Sequence, residues 1–196
     1  MKRLIFSALL IFSLSGVQAQ ESKFGVKGGL NFANLVGDDY GADIRTSIHF
    51  GILAEIAITK KFSIQPEILY SGQGTKSEDL TWKLDYLTLP IMVKFLVAEG
   101  FSLEAGPYAA YNLISEWKWE DGSMDYKDDT SLIDMGAGIG LEYELPTGVF
   151  FQARYNVGML TIWNINYTMY GFENAPDMEQ PQTKNVGLQL SIGYKF

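Results

Sequence analysis

Residues 185–196 read NVGLQLSIGYKF, and every second side chain is apolar: Val186, Leu188, Leu190, Ile192, Tyr194 and Phe196. Between them stand Gly187, Gln189, Ser191, Gly193 and Lys195, all small or polar. A period of two puts the two sets on opposite faces of a β-strand. One face is uniformly greasy and the other is not, so the strand separates two media.

The same alternation recurs through the chain. Seven further strands are predicted: about Lys23–Ala33, Ser47–Ile58, Phe62–Ser71, Tyr86–Phe95, Phe101–Leu113, Ile133–Glu144 and Phe151–Met159. The connections alternate in length. Tight turns at Thr59-Lys60-Lys61, Ala98-Glu99-Gly100 and Pro146-Thr147-Gly148 alternate with long polar segments near 34–46, 72–83, 114–130 and 161–184. Eight strands with short turns on one side and long loops on the other form the pattern of an outer-membrane β-barrel, its short turns periplasmic.

Side-chain volume decides which face is outside. The apolar face carries roughly five large residues per strand, and the interior of an eight-stranded barrel has room for little beyond its own side chains. The small, polar face fits inside and the greasy face does not. The apolar face also lacks charge at the strand centres, where a cation facing lipid costs about 2–4 kcal/mol. Aromatic residues gather near strand ends, as at Phe24, Phe62, Phe95, Tyr143 and Phe196, in the manner of interfacial girdles. The fold class is therefore all-β: an eight-stranded antiparallel transmembrane β-barrel with short periplasmic turns and long extracellular loops. A soluble periplasmic lipocalin-like carrier is the alternative that would invert the two faces.

The N-terminus supports export. MKRLIFSALLIFSLSGVQAQ has a basic start at Lys2 and Arg3, a short apolar run and small residues at Val17 and Ala19. That is the layout of a signal peptide over residues 1–19, leaving 20–196 as the barrel domain. The apolar run is too short to span a bilayer comfortably as a helix. The chain has no cysteine, which removes disulfides and thiolate metal sites. A net charge of −8 argues against a nucleic-acid partner.

The polar face places Lys27, Glu55, Glu67, Lys94, Glu104, Glu142 and Arg154 in the lumen, with Asp134 near its loop end. Buried charges need partners. The expectation is a salt-bridge network that plugs the barrel, with Arg154 facing carboxylates such as Glu142 on the neighbouring strand. The single histidine, His49, cannot build a triad or a multi-histidine metal site alone. No catalytic residue, cofactor or metal site is expected. The segment SEWKWEDGSMDYKDDTS is acidic, but its spacing does not match a calcium loop. Trp117 and Trp119 within it, and Trp163, Tyr167 and Tyr170 in the last long segment, are candidates for contacts with a partner. Equally, they can pack together and close the barrel mouth.

Several segments together resemble one family: KFGVKGGLNFANL, IQPEILYSGQG, LDYLTLPIMVKF, LEAGPYAAYNL, DMGAGIGLEYEL, FFQARYNVGM and LQLSIGYKF. They are similar to the small PorT-like or "porin family" outer-membrane barrels of the Bacteroidota, over essentially the whole mature chain. The resemblance implies residence in the outer membrane of a Gram-negative bacterium, among its lipids and lipopolysaccharide. It also implies that terminal Phe196 serves as a signal for the barrel-assembly machinery. The function expected is non-enzymatic, structural or interactive, through the extracellular loops and with an extracellular or periplasmic protein partner. A narrow pore and an accessory component of an outer-membrane secretion or uptake machine stay open beside it. A barrel with no free edge permits a monomer.

Overall fold

The computed structural model describes residues 22–37, 43–77, 80–164 and 181–196. The expected signal peptide, Tyr167 and Tyr170 lie outside the described residues. The chain forms β1 (Ser22–Gly37), β2 (Asp43–Ala57), β3 (Phe62–Lys76), β4 (Thr81–Ala98), β5 (Phe101–Trp119), β6 (Gly122–Asp125), β7 (Ile133–Glu144), β8 (Val149–Gly158) and β9 (Thr183–Lys195). All but β6 build the wall. Each pairs antiparallel with its neighbour, β1 pairs with β9, and β4 pairs with β5, so the sheet closes on itself with eight strands. Closure leaves no edge, which is what lets a sheet sit in hydrocarbon.

The alternation holds along every wall strand. Phe24, Ile48, Phe50, Ile52, Ile68, Ile91, Leu103, Ile139, Leu141, Phe151, Leu190 and Ile192 face outward and exposed. Lys27, Gln65, Glu67, Lys94, Glu104, Asn112, Gln152 and Arg154 are buried in the lumen. A few apolar residues also point inward, including Leu53, Leu69, Met92 and Phe150. They fill space between the polar groups. The tight turns on the short side use glycine where φ must be positive: Gly100 at 71° and Gly148 at 88°.

The strands run longer than the alternation alone suggests. Segments expected as loops continue the ladders: β2 begins at Asp43, β3 reaches Lys76, β4 starts at Thr81 and β5 extends to Trp119. In the β4 extension the period of two persists but its apolar face, Trp82 and Leu84, turns inward, the reverse of the belt below, and the hairpins stay paired above the apolar belt. One example is Trp82↔Trp117. Beyond it, β6 folds back on β5 from Glu116↔Asp125 to Trp119↔Gly122.

Three prolines set one side of the wall apart. Proline has no amide to give to a ladder. The paired register skips between Leu53↔Glu67 and Ile56↔Ile64 beside Pro66, between Pro66↔Ile91 and Leu69↔Thr88 beside Pro90, and between Pro90↔Tyr108 and Val93↔Ala105 beside Pro107. The other five seams pair through the same level without a break.

The inside–outside assignment is tested by a charge on each face. Leu190→Arg, on the lipid face near the centre of β9, should cost about 2–4 kcal/mol in unfolding from vesicles. Replacing inward-facing Gln189 by Arg should cost clearly less. Equal costs for the two variants, read from denaturant midpoints, would refute the assignment.

Candidate functional site: a closed, ion-paired lumen

The periplasmic half of the lumen is filled by five cations and five carboxylates: Lys23, Lys27, Lys94, Arg154 and Lys195 with Glu55, Glu67, Glu104, Glu142 and Glu144. They divide into two neutral groups. In the inner group, the Arg154 guanidinium donates to both oxygens of Glu67, at 2.7 and 2.9 Å, and from Nε to Glu104 at 2.7 Å. The Lys27 ammonium lies 2.8 Å from Glu67 Oε2. In the outer group, Lys94 donates to Glu55 and Glu142 at 2.7 and 2.6 Å, Lys195 to Glu55, Glu142 and Glu144 at 2.5, 2.5 and 2.9 Å, and Lys23 to Glu144 at 2.6 Å.

Two glutamines join the groups, because a carboxamide can donate and accept at once. Gln152 accepts from Lys27 at 2.7 Å and donates to Glu104 and Glu142 at 3.0 and 3.3 Å. Gln65 donates to Glu67 at 2.7 Å and accepts from Lys94 at 3.2 Å. Each charge therefore has an opposite charge and a hydrogen bond, the condition under which buried ions are tolerated.

All seven expected lumen charges lie in this network, but Arg154 does not pair with Glu142. Its register partner on β7 is Gly140, while Glu142 lies opposite Gln152. A Cβ at Gly140 would meet Glu104 Oε1 at 2.7 Å, and one at Gly138 would meet Arg154 Cδ at 3.2 Å. These glycines open the slot through which Arg154 crosses the lumen to Glu104 and Glu67. Lys23, Glu144 and Lys195 were not among the expected lumen charges. The period of two in β9 puts Lys195 inside, so its signal was present.

The extracellular end is shut by apolar and aromatic side chains. Leu35, Trp82, Leu84, Tyr86, Tyr108, Ala110 and Ile162 form a buried cluster against which Trp117 and Trp163 pack. The ring of Trp82 lies 4.6 Å from Trp163 and 5.6 Å from Trp117, and Trp117 stacks on Tyr126 at 4.6 Å. Backbone bonds stitch the two loop bases together, from Ser131 N to Ile162 O and from Asn164 N to Asp129 O. Trp117 and Trp163 thus belong to the lid. Trp119 stays exposed near the tip of the β5–β6 hairpin. Trp82, inside a segment expected as a loop, is the lid residue that the sequence reading missed.

At the periplasmic end, a vestibule of about 600 Å³ opens between the turns and stops at Lys94, Ser63 and Ser102. Among the described residues, only Glu55, Glu142 and Glu144 bring three carboxylates together, and lysines already occupy that space. His49 is buried, with Nε2 2.8 Å from Ser191 Oγ. Its Nδ1 has no hydrogen-bond partner among the described residues, so no carboxylate there orients the ring as a base. Phe196 is 70% exposed, and its amide donates to Phe24 O at 2.8 Å, closing the last strand onto the first.

The model of the outer membrane protein beta-barrel domain matches residues 4–196. The chain belongs to that family. As a member it resides in the bacterial outer membrane, which excludes the soluble carrier. Among solved structures, Ail, the attachment invasion locus protein of Yersinia pestis, is 14% identical with a TM-score of 0.55, covering 90% of this chain and 99% of its own. Neisserial surface protein A is 13% identical with a TM-score of 0.60, covering 90% and 100%. At that identity these neighbours speak for the fold. No curated protein is significantly similar in sequence.

Removing the central cation tests the network. Arg154→Ala leaves buried Glu104 with no ion pair and Glu67 with Lys27 alone, and should cost about 3–5 kcal/mol in an unfolding titration. A loss under 1 kcal/mol would show that the network does not hold the lumen together.

Proposed function

We propose that this protein is a non-enzymatic outer-membrane barrel that acts through its extracellular surface, not its lumen. The observation that carries this is the double closure of the interior. Ten paired charges fill the periplasmic half, and the Trp82–Trp117–Trp163 lid covers the other end. An ion crossing the lumen would have to break several charge-assisted bonds in succession.

The surface available for contact includes the β5–β6 hairpin, with exposed Trp119 and Met124. Around them stand Glu116, Glu120, Asp121, Asp125, Asp128 and Asp129 against Lys118 and Lys127. Ail has been solved in complex with the heparin analogue sucrose octasulfate. The acidic hairpin here disfavours so anionic a ligand, and the chemistry it fits is a basic or neutral protein surface. The segments resembling PorT-like barrels of the Bacteroidota support the same non-enzymatic reading, within outer-membrane lipid and lipopolysaccharide. Phe196, exposed at the end of the closing strand, is our candidate for the mark read by the barrel-assembly machinery. A second reading, an accessory component of a secretion or uptake machine, draws support from the vestibule open to the periplasm. Such a component would co-purify with that machine.

In planar bilayers the purified mature barrel should show no discrete conductance steps. Steady opening events would replace this reading by the narrow pore. An epitope inserted between Asp121 and Gly122 should be labelled on intact cells. Labelling only after permeabilisation would overturn the role given to the hairpin.

A further inference from the structure

The tight turn between β2 and β3 carries two adjacent cations, Lys60 and Lys61. Both are exposed, and neither has an ion-pair partner among the described residues. Of the acids that line the same vestibule, Glu55 is held by Lys94 and Lys195, and Glu144 by Lys23 and Lys195. That leaves Glu99 alone against two lysines. The other periplasmic turns have no cation: Ala98-Glu99-Gly100 holds one acid and Pro146-Thr147-Gly148 no charge. At the opposite end of the barrel the β5–β6 hairpin and its base are acidic, with Glu116, Glu120, Asp121, Asp125, Asp128 and Asp129 against Lys118 and Lys127.

The turn is held in place. The amides of Ile58 and Thr59 donate to Phe62 O at 2.8 and 3.0 Å, and Leu96 N donates to Lys61 O at 2.8 Å. The amides of Lys61 and Phe62 donate to Thr59 Oγ1 at 3.2 and 3.0 Å. With those amides spent, the two ammonium groups are what the turn offers an anion. On either side of the lysines the chain turns apolar groups to the lipid. Ile58 and Phe62 are each 46% exposed, and the Phe62 ring lies 4.9 Å from that of Phe95 on β4. Aromatic residues at strand ends mark the level where hydrocarbon gives way to headgroups. Lys60 and Lys61 follow directly on that level, on the periplasmic side, with stems long enough to set their charges among headgroups.

We propose that Lys60 and Lys61 bind the phosphate of an anionic phospholipid in the periplasmic leaflet. The headgroup rests on the two ammonium groups at the rim of the vestibule, and the acyl chains lie along Phe62 and Phe95. A free phosphate carries the same charge, but the aromatic pair directly beneath the lysines selects an anion that brings hydrocarbon with it. Lysines beside an anionic lipid surface gain from its potential, and the acidic hairpin at the far end does not compete for the same lipid. The proposal rests on the orientation of the barrel in the membrane and is independent of the role given to the extracellular hairpin.

The test uses the full mature barrel in a mild detergent, titrated with phosphatidylglycerol or phosphatidylcholine and read by native mass spectrometry. The wild type should bind phosphatidylglycerol on the order of tenfold more tightly than phosphatidylcholine. Replacing both lysines, Lys60→Gln with Lys61→Gln, should remove that preference. Lys76→Gln, which removes an exposed cation at the other end of β3, should leave it intact. Glu99→Gln removes the opposing acid and should strengthen the preference, which keeps the test decisive if the double variant does not fold. Equal binding of the two lipids would overturn the proposal. So would a preference that survives in the double variant, or one lost equally in Lys76→Gln. Displacement of the lipid by soluble glycerol phosphate at equal concentration would make this a site for a free anion, and would refute the lipid.

Discussion

In the hydrocarbon core of a bilayer there is no water to take up a stray backbone bond. A sheet can cross only by closing on itself. Here closure is made by β9, which pairs with β1 along thirteen residue pairs and with β8 on its other side. The remaining features depend on that. Eight strands enclose a lumen too narrow for large apolar side chains, so the bulky residues must go to the lipid and the small and polar ones inside. The wall is tolerant at three places, beside Pro66, Pro90 and Pro107, where a ladder bond is forgone while the other five seams pair without a break.

The polar interior then raises its own problem, which is how to hold ten charges, seven of them buried, at low cost. The solution is local neutrality. Each cation but the outermost, Lys23, touches more than one carboxylate or is backed by an amide, and the two glutamines tie the inner and outer groups into one lattice. Such a lattice favours one arrangement of the lumen over its alternatives, because displacing one member leaves others unpaired. At the extracellular end the chain uses apolar packing instead, with Trp82 between Trp117 and Trp163. The two plugs support the proposal that this protein meets other molecules at its outer surface and loops.

Much of this was written in the alternation. The eight wall strands, their inward and outward faces and the side of the tight turns follow from a period of two and the positions of Gly100 and Gly148. What the alternation could not show was how far the hairpins rise above the membrane. Above the belt, as at 81–85, the apolar face turns inward to the lid, so Trp82 and Leu84 fall out of phase with the outward Leu87, Leu89 and Ile91 and do not extend their pattern. Nor could it show the partners of Arg154, which reaches across the lumen rather than along a neighbouring strand. That reach depends on the register of β7 with β8 and on the space left by Gly138 and Gly140. The tryptophan lid unites residues some eighty positions apart, and only the closed barrel brings them together.

The central claim is that the greasy face of each strand is outside. The chain has no cysteine, so single cysteines can be placed freely from Val186 to Ser191 and probed in vesicles with a lipid-soluble thiol reagent. The account predicts labelling at 186, 188 and 190 and protection at 187, 189 and 191. Labelling at 187, 189 and 191 with protection at 186, 188 and 190 would contradict it, for the apolar face would then line the interior.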